Sequence, residues 1–207
     1  TRTRQQAGDL VQRLRELGAD AFEMPTIRIE PAPNKREFYE VVAYSHSYEW
    51  IIFTSPNGVD AFFEAFYDLY KDARSLGAAR IAAIGPATAE RVRSYRFAVD
   101  VQPEKYVAEE IVKALQKEAS LENVKVLLAR AEGARDVLPI ELEKLGAIVD
   151  ETIAYRTVPE TEDASGGIER YRTEGADMVT FTSSSTAENF HALGLPDHDG
   201  IRIASIG

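Results

Sequence analysis

The chain has 207 residues, 44% hydrophobic and 28% charged, with no cysteine and a formal net charge of −10. That composition is ordinary for a globular protein, and the missing cysteines exclude disulfides, thiolate metal sites and a cysteine nucleophile. The acidic balance argues against a nucleic-acid partner, which needs a basic footprint, but permits an anionic small molecule held by local backbone N–H groups.

In chain order, apolar residues at Ala7, Leu10, Val11, Leu14 and Leu17 predict a helix over 5–17, stopped by Gly18. Residues 21–30 read as extended, broken at Pro25, and 31–35 (PAPNK) as a connector. A buried-type strand follows at 48–55, then a helix at 56–69, a strand at 80–84 and a helix from Pro86. A short strand near 97–101, a helix at 107–117 and a strand at 124–129 complete the first part. The second part runs helix (134–145), long strand (148–157), helix (168–173), strand (178–182), helix (186–193) and strand (202–206). Strands alternating with helices predict an α/β fold of parallel sheets flanked by helices. The apolar runs are strand-sized, so no membrane partner is expected, and the polar, helix-patterned amino terminus leads to the expectation of no signal peptide. A cytoplasmic location is the default expectation.

The chain also repeats itself. Residues 1–31 lie over 129–159 without a gap, aligning Leu17-Gly18-Ala19 with Leu145-Gly146-Ala147 and Pro31 with Pro159. The same displacement of 128 residues carries Phe53-Thr54-Ser55 onto Phe181-Thr182-Ser183 and Phe62 onto Phe190. Six residues then drop out, and Ile81-Ala82-Ala83-Ile84-Gly85 meets Ile203-Ala204-Ser205-Ile206-Gly207 at a displacement of 122. A period this long is a duplicated α/β module rather than a solenoid of small units. It predicts two similar lobes with a ligand cleft between them. The repeat further leads one to expect a strand before Thr1 and a helix after Gly207.

Three strand-to-helix turns carry the candidate chemistry. In Phe53-Thr54-Ser55-Pro56-Asn57-Gly58, Ser55 suits an N-cap and Pro56 a first helical position. In Ser183-Ser184-Ser185-Thr186 the spacing of Ser185 and Glu188 predicts a capping box. In Ile84-Gly85-Pro86-Ala87-Thr88, Gly85 permits close backbone approach and Thr88 offers a hydroxyl near the helix start. Helix capping alone accounts for each. The functional reading is that hydroxyls and free N–H groups at a sheet's carboxyl edge cradle carboxylates or phosphates. Tyr155 stands where the duplicate has Ile27; it is either a linker aromatic whose hydroxyl finds a partner or a phenol that donates a proton to a leaving group. His46, His191 and His198 form no metal-ligand spacing and are expected as surface or cap residues. Glu160-Thr161-Glu162-Asp163 reads as solvated loop.

The ordered set TRTRQQAGDLVQRLRELGA, PTIRIEP, FTSPNGV, AAIGPATAE, YVAEEIV, YRTVP, FTSSSTAENF and IASIG resembles the uroporphyrinogen-III synthase family over essentially the whole chain. The resemblance implies two lobes, one of 1–29 with 160–207 and the other of 36–155, joined by linker strands at 30–35 and 156–159. It implies a cyclising lyase of tetrapyrrole biosynthesis (haem, sirohaem, cobalamin) that converts hydroxymethylbilane to uroporphyrinogen III with inversion of ring D. No metal or cofactor is implied, and a monomer is expected. Tyr155 would assist departure of the hydroxyl. Ser55, Asn57, Gly58, Gly85, Ala87, Thr88, Ser183, Ser184, Ser185 and Thr186 would hold the substrate's carboxylates, with Arg2 and its duplicate Arg130 as further contacts. The alternative is a non-enzymatic two-lobed binding or sensor protein for an anionic metabolite, or a module that keeps the fold without activity.

Overall fold

The computed structural model describes residues 4–163, 165–181, 183–196, 198 and 200–205. The chain forms two compact units, Thr1–Glu30 with Thr157–Gly207 and Pro31–Arg156. In chain order the elements are α1 (Arg4–Glu16), β1 (Ile27–Pro31), α2 (Lys35–Ala43), β2 (Trp50–Phe53), α3 (Pro56–Leu69), β3 (Arg80–Ala83), α4 (Pro86–Ser94) and α5 (Ala108–Glu118). They continue with β4 (Lys125–Ala131), α6 (Val137–Lys144), β5 (Ile148–Pro159), α7 (Gly167–Glu174), β6 (Met178–Phe181), α8 (Ser184–Ala192) and β7 (Arg202–Ser205). One five-stranded sheet has the order β1-β5-β4-β2-β3, and β6 and β7 form a second sheet. The pairs β2–β3, β2–β4, β4–β5 and β6–β7 are all parallel, so the α/β expectation holds.

In the 31–156 unit both faces of the sheet are covered, which is why β2 is the unbroken apolar run Trp50-Ile51-Ile52-Phe53. Trp50 and Ile52 pack with Ile111 and Leu115 of α5 and Leu138 and Leu142 of α6. On the other face Phe53 meets Phe62 and Phe63 of α3, with ring centroids 5.4 and 5.8 Å apart. Phe62, Phe63 and Phe66 are wholly buried, and each such ring is worth roughly 1.5–3 kcal/mol over leaving it in water. In the other unit the core is Met24, Ile168, Tyr171, Val179 and Phe181, with Phe22 and Phe190 packed against it. Among the described residues no helix is long and apolar enough to cross a membrane.

The duplication is visible in strand register. Trp50 pairs with Arg80 and Phe53 with Ala83, while Met178 pairs with Arg202 and Phe181 with Ser205. Those partners are related by the displacements of 128 and 122 residues read from the sequence. A one-residue slip would turn every buried side chain outward, so matching register means matching side-chain faces.

Several local expectations are corrected. The segment read as a connector opens α2, whose N-cap Asn34 accepts from the Glu37 N–H; two prolines and a single turn of apolar residues hid it. Of the segment 21–30 read as extended only 27–30 is strand, which runs on to Pro31, and the strand near 97–101 reduces to one bridge between Ala82 and Val101. Glu160-Thr161-Glu162-Asp163 is not simply solvated. Glu160 lies 3.6 Å from Arg28, and the Asp163 carboxylate accepts from the Ile168 and Glu169 N–H groups at 2.9 Å each, closing the start of α7. His46 and His191 are exposed as expected, whereas His198 is half-buried against the Tyr171 ring, with Nε2 2.9 Å from the Tyr171 carbonyl.

Candidate active site

Because β2, β3 and β4 run parallel, their carboxyl ends share one edge of the 31–156 unit. Ligands of open parallel sheets are bound at such edges. β2 ends at Phe53 and the chain turns into α3 through Ser55, an extended N-cap whose Oγ accepts from the Gly58 N–H at 3.1 Å. Pro56 occupies the first helical turn, as its fixed φ and missing donor favour. Gly58 is required by packing. A Cβ there would stand 2.9 Å from the main-chain oxygen of Ala129, so only glycine lets this helix start approach β4 so closely.

Tyr155 reaches the same place by a strand irregularity. Arg130 pairs with Ile153 but Ala131 pairs with Tyr155, so β5 carries Ala154 as an extra residue. A bulge of this kind breaks the two-residue alternation and re-aims a side chain. Ile153 is therefore 44% exposed, while Ala154 and Tyr155 are buried in succession. The Tyr155 hydroxyl lies 2.9 Å from Ser55 Oγ. Two residues that the sequence singled out separately are thus hydrogen-bonded to each other.

Gly85 begins α4 at the end of β3 with φ +86°, a conformation that glycine adopts without strain. Thr88 in the first turn is buried and Ala87 is exposed. The Tyr106 ring covers this turn, 3.6 Å from where a Gly85 Cβ would be, although Tyr106 itself is 57% exposed. Tyr106 was not among the sequence candidates; its only signal was its place in the YVAEEIV run. Asn57 is half-buried in the first turn of α3. Arg130 is buried rather than presented at the surface. Its guanidinium pairs with Glu151, donates to the Arg135 carbonyl at 2.7 Å and lies 3.9 Å from Asp136. Arg2 lies outside the described residues.

In the other unit the equivalent turn opens α8. The capping box is built from Ser183 and Thr186, two residues before the predicted Ser185–Glu188 pair: Ser183 Oγ accepts from the Thr186 N–H, and the Thr186 hydroxyl stands 3.3 Å from the Ser183 N–H. The triple serine offered more than one frame, and the frame matching Ser55 won. Ser185 Oγ is 3.0 Å from Ser183 Oγ, and Ser184 is exposed. Thr26 Oγ1 donates to the Thr186 carbonyl at 3.2 Å, a link that no sequence spacing announced. Among the described residues no three histidine or carboxylate side chains are grouped so as to hold a metal ion.

Each unit therefore presents hydroxyl groups and helix N–H groups at a strand-to-helix turn, suited to carboxylates, and the 31–156 unit adds a buried phenol. Comparison with known proteins places the chain in a family. A family model described as uroporphyrinogen-III synthase HemD matches residues 8–207. The porphyrin biosynthesis protein HemD of Ruminiclostridium josui is 31% identical over 193 residues, covering 93% of this chain and 38% of that protein. A relative from Methanothermobacter thermautotrophicus is 34% identical over 195 residues, covering 93% of this chain and 76% of its own length. The crystal structure of uroporphyrinogen-III synthetase from Helicobacter pylori 26695 superposes with a TM-score of 0.63 at 19% identity, over 91% of this chain and 79% of that one, a likeness of fold. The chain belongs to the uroporphyrinogen-III synthase family.

Proposed function

We propose that the chain catalyses the cyclising dehydration of hydroxymethylbilane to uroporphyrinogen III, with inversion of ring D. The observation that carries the reading is the buried Tyr155 hydroxyl beside Ser55 at the carboxyl edge of the sheet, in a chain of this family. The chemistry asks little of acid–base groups. A pyrrole nitrogen's lone pair expels the hydroxyl and leaves an electrophilic azafulvene. Attack at the substituted carbon of ring D gives a spiro intermediate, which reopens and recloses. The same substrate closes unaided without inversion, so the enzyme mainly selects a conformation. Positioning supplies about 7–11 kcal/mol in favourable cases, whereas each tenfold preference between closures needs only about 1.4 kcal/mol.

In this reading Tyr155 assists departure of the hydroxyl. Asn57, the turn from Gly85 to Thr88, and the turn from Ser183 to Thr186 hold acetate and propionate carboxylates. Lobes of 1–29 with 160–207 and of 36–155, a monomeric state and a cytoplasmic location belong to the same proposal. The rival, a non-enzymatic sensor of an anionic metabolite, finds no support among the relatives described. The test supplies freshly generated hydroxymethylbilane and resolves isomers I and III of the product. Isomer III in excess over the unaided reaction is expected; isomer I alone from folded protein overturns the reading.

A further inference from the structure

We propose that Ser55 is a positioning residue for Tyr155 rather than a carboxylate contact, donating its hydroxyl proton to the phenol oxygen so that the phenol proton faces the departing hydroxyl. This inference rests on the proposed synthase reaction.

Ser55 Oγ has one proton and two lone pairs, and one lone pair is taken by the Gly58 N–H at 3.1 Å. That backbone donor has fixed polarity, because an N–H can only donate. A hydroxyl that accepts such a bond becomes a better donor, since consecutive hydrogen bonds polarise one another. Among the described residues its other hydrogen-bond partner is the Tyr155 hydroxyl, 2.9 Å away. A chain running from Gly58 N–H to Ser55 O–H to Tyr155 O–H satisfies each group in turn and frees the phenol proton. The reverse polarity would spend the phenol proton on Ser55 and leave the serine proton seeking another acceptor.

Three features outside the pair hold this order in place. Ser55 is fixed as the N-cap of α3. Gly58 is held by the closeness of the Ala129 carbonyl. Tyr155 is turned inward by the extra residue Ala154. The start of a helix also favours negative charge, so the phenolate formed on proton transfer is stabilised through Ser55. The step balances: the C–O bond of the hydroxymethyl group breaks, its electron pair leaves with the oxygen, and the Tyr155 proton completes a water molecule. The pyrrole nitrogen supplies the electrons that form the azafulvene. The proton released at ring closure restores the phenol.

The test is a variant series assayed for kcat, KM and isomer ratio, with thermal melting as the control for folding. Ser55→Asp keeps an oxygen to accept from the Gly58 N–H but has no proton to give, and a carboxylate suits a helix start. S55D and S55A are expected to lower kcat about tenfold or more with KM changed less than threefold, and S55D to melt close to the parent. Ser55→Thr, which keeps both the cap and the proton, is expected to restore kcat to within about threefold. In a Tyr155→Phe background neither S55A nor S55D is expected to slow the enzyme further, because residues acting as a unit are not additive. A raised KM with kcat kept, or a full additional loss in the Y155F background, makes Ser55 a substrate contact and overturns the inference while the synthase reading stands. A parent protein that yields isomer I alone overturns both.

Discussion

The turns at Ser55 and Ser183 share one capping structure but send their hydrogen bonds to different partners. Both follow a strand of identical register, both cap a helix, and both accept from the N–H three residues on, Gly58 in one and Thr186 in the other. At Ser183 the third residue is a threonine whose hydroxyl returns a bond to Ser183, so the polar groups close on themselves. At Ser55 the third residue is a glycine that returns nothing, and the serine's second bond goes to Tyr155. Two differences separate a self-satisfied cap from a cap coupled to a phenol: glycine for threonine at the third helix position, and Tyr155 where the other copy has Ile27. The repeat supplies matching turns, and divergence at the third helix position and at the Ile27/Tyr155 position decides where the hydrogen bonds lead.

The sharpest way to break the comparison is to make the first turn like the second. Gly58→Thr places a Cβ 2.9 Å from the Ala129 oxygen, a backbone atom that cannot swing aside, and adds a hydroxyl to compete for Ser55. We expect the variant to lose about 1–3 kcal/mol of stability, as overpacked sites do, and most of its turnover; urea unfolding and the isomer assay read the two effects. A G58T protein with parental turnover would mean that the approach of α3 to β4 does not matter to Tyr155.

A smaller effect sharpens the contrast from the other side. Ser183→Ala removes a cap worth about 1 kcal/mol, the bond from the Thr186 N–H to Ser183 Oγ, while the Ser183 N–H can still donate to the Thr186 hydroxyl. Turnover at saturating substrate is expected to hold while KM rises, if this turn binds a carboxylate and does not work through a phenol. A fall in kcat like that of S55D would erase the distinction between the two turns.

The smallest expected effect concerns the stretch where the copies differ in length. The six residues missing from the second copy fall in the span that in the first contains the 3₁₀ turn Ala73–Leu76, capped by Asp72. The Arg74 side chain, helped by the Arg74 N–H, holds the Asp72 carboxyl down to about 2. A depressed carboxyl stabilises the fold above its ordinary value near 3.8 and loses that contribution as pH falls toward 2. Asp72→Asn should therefore lower the melting temperature slightly at pH 6 and lose its difference from the parent by pH 2. A constant difference across that range would assign the effect to packing. Both groups are exposed, so the shift is expected to be slight and to shrink in salt.

Much of this was legible in the chain because it is local. Pro56 after Ser55, Pro86 after Gly85 and the triple serine before α8 mark strand-to-helix turns by the chemistry of unsatisfied helix N–H groups, which needs no tertiary contact. The repeat was legible because duplication leaves residue identities in register. What misled was equally local. α2 was hidden by the prolines before it, and the capping box was displaced because Ser185 and Glu188 offered a second valid frame.

By itself, then, the sequence determined the α/β class, the internal repeat, the family resemblance and the strand-to-helix turns at Ser55 and Gly85, since each follows from neighbouring residues or from the repeat. Only the tertiary structure decided that Arg130 is spent on Glu151, that Ala154 is a bulge, and that Tyr155 meets Ser55. Those facts join residues 21 and 100 positions apart, or hang on one extra residue in a strand pairing. No periodicity or local propensity encodes them, because the partner that fixes each is brought near only when the sheet closes.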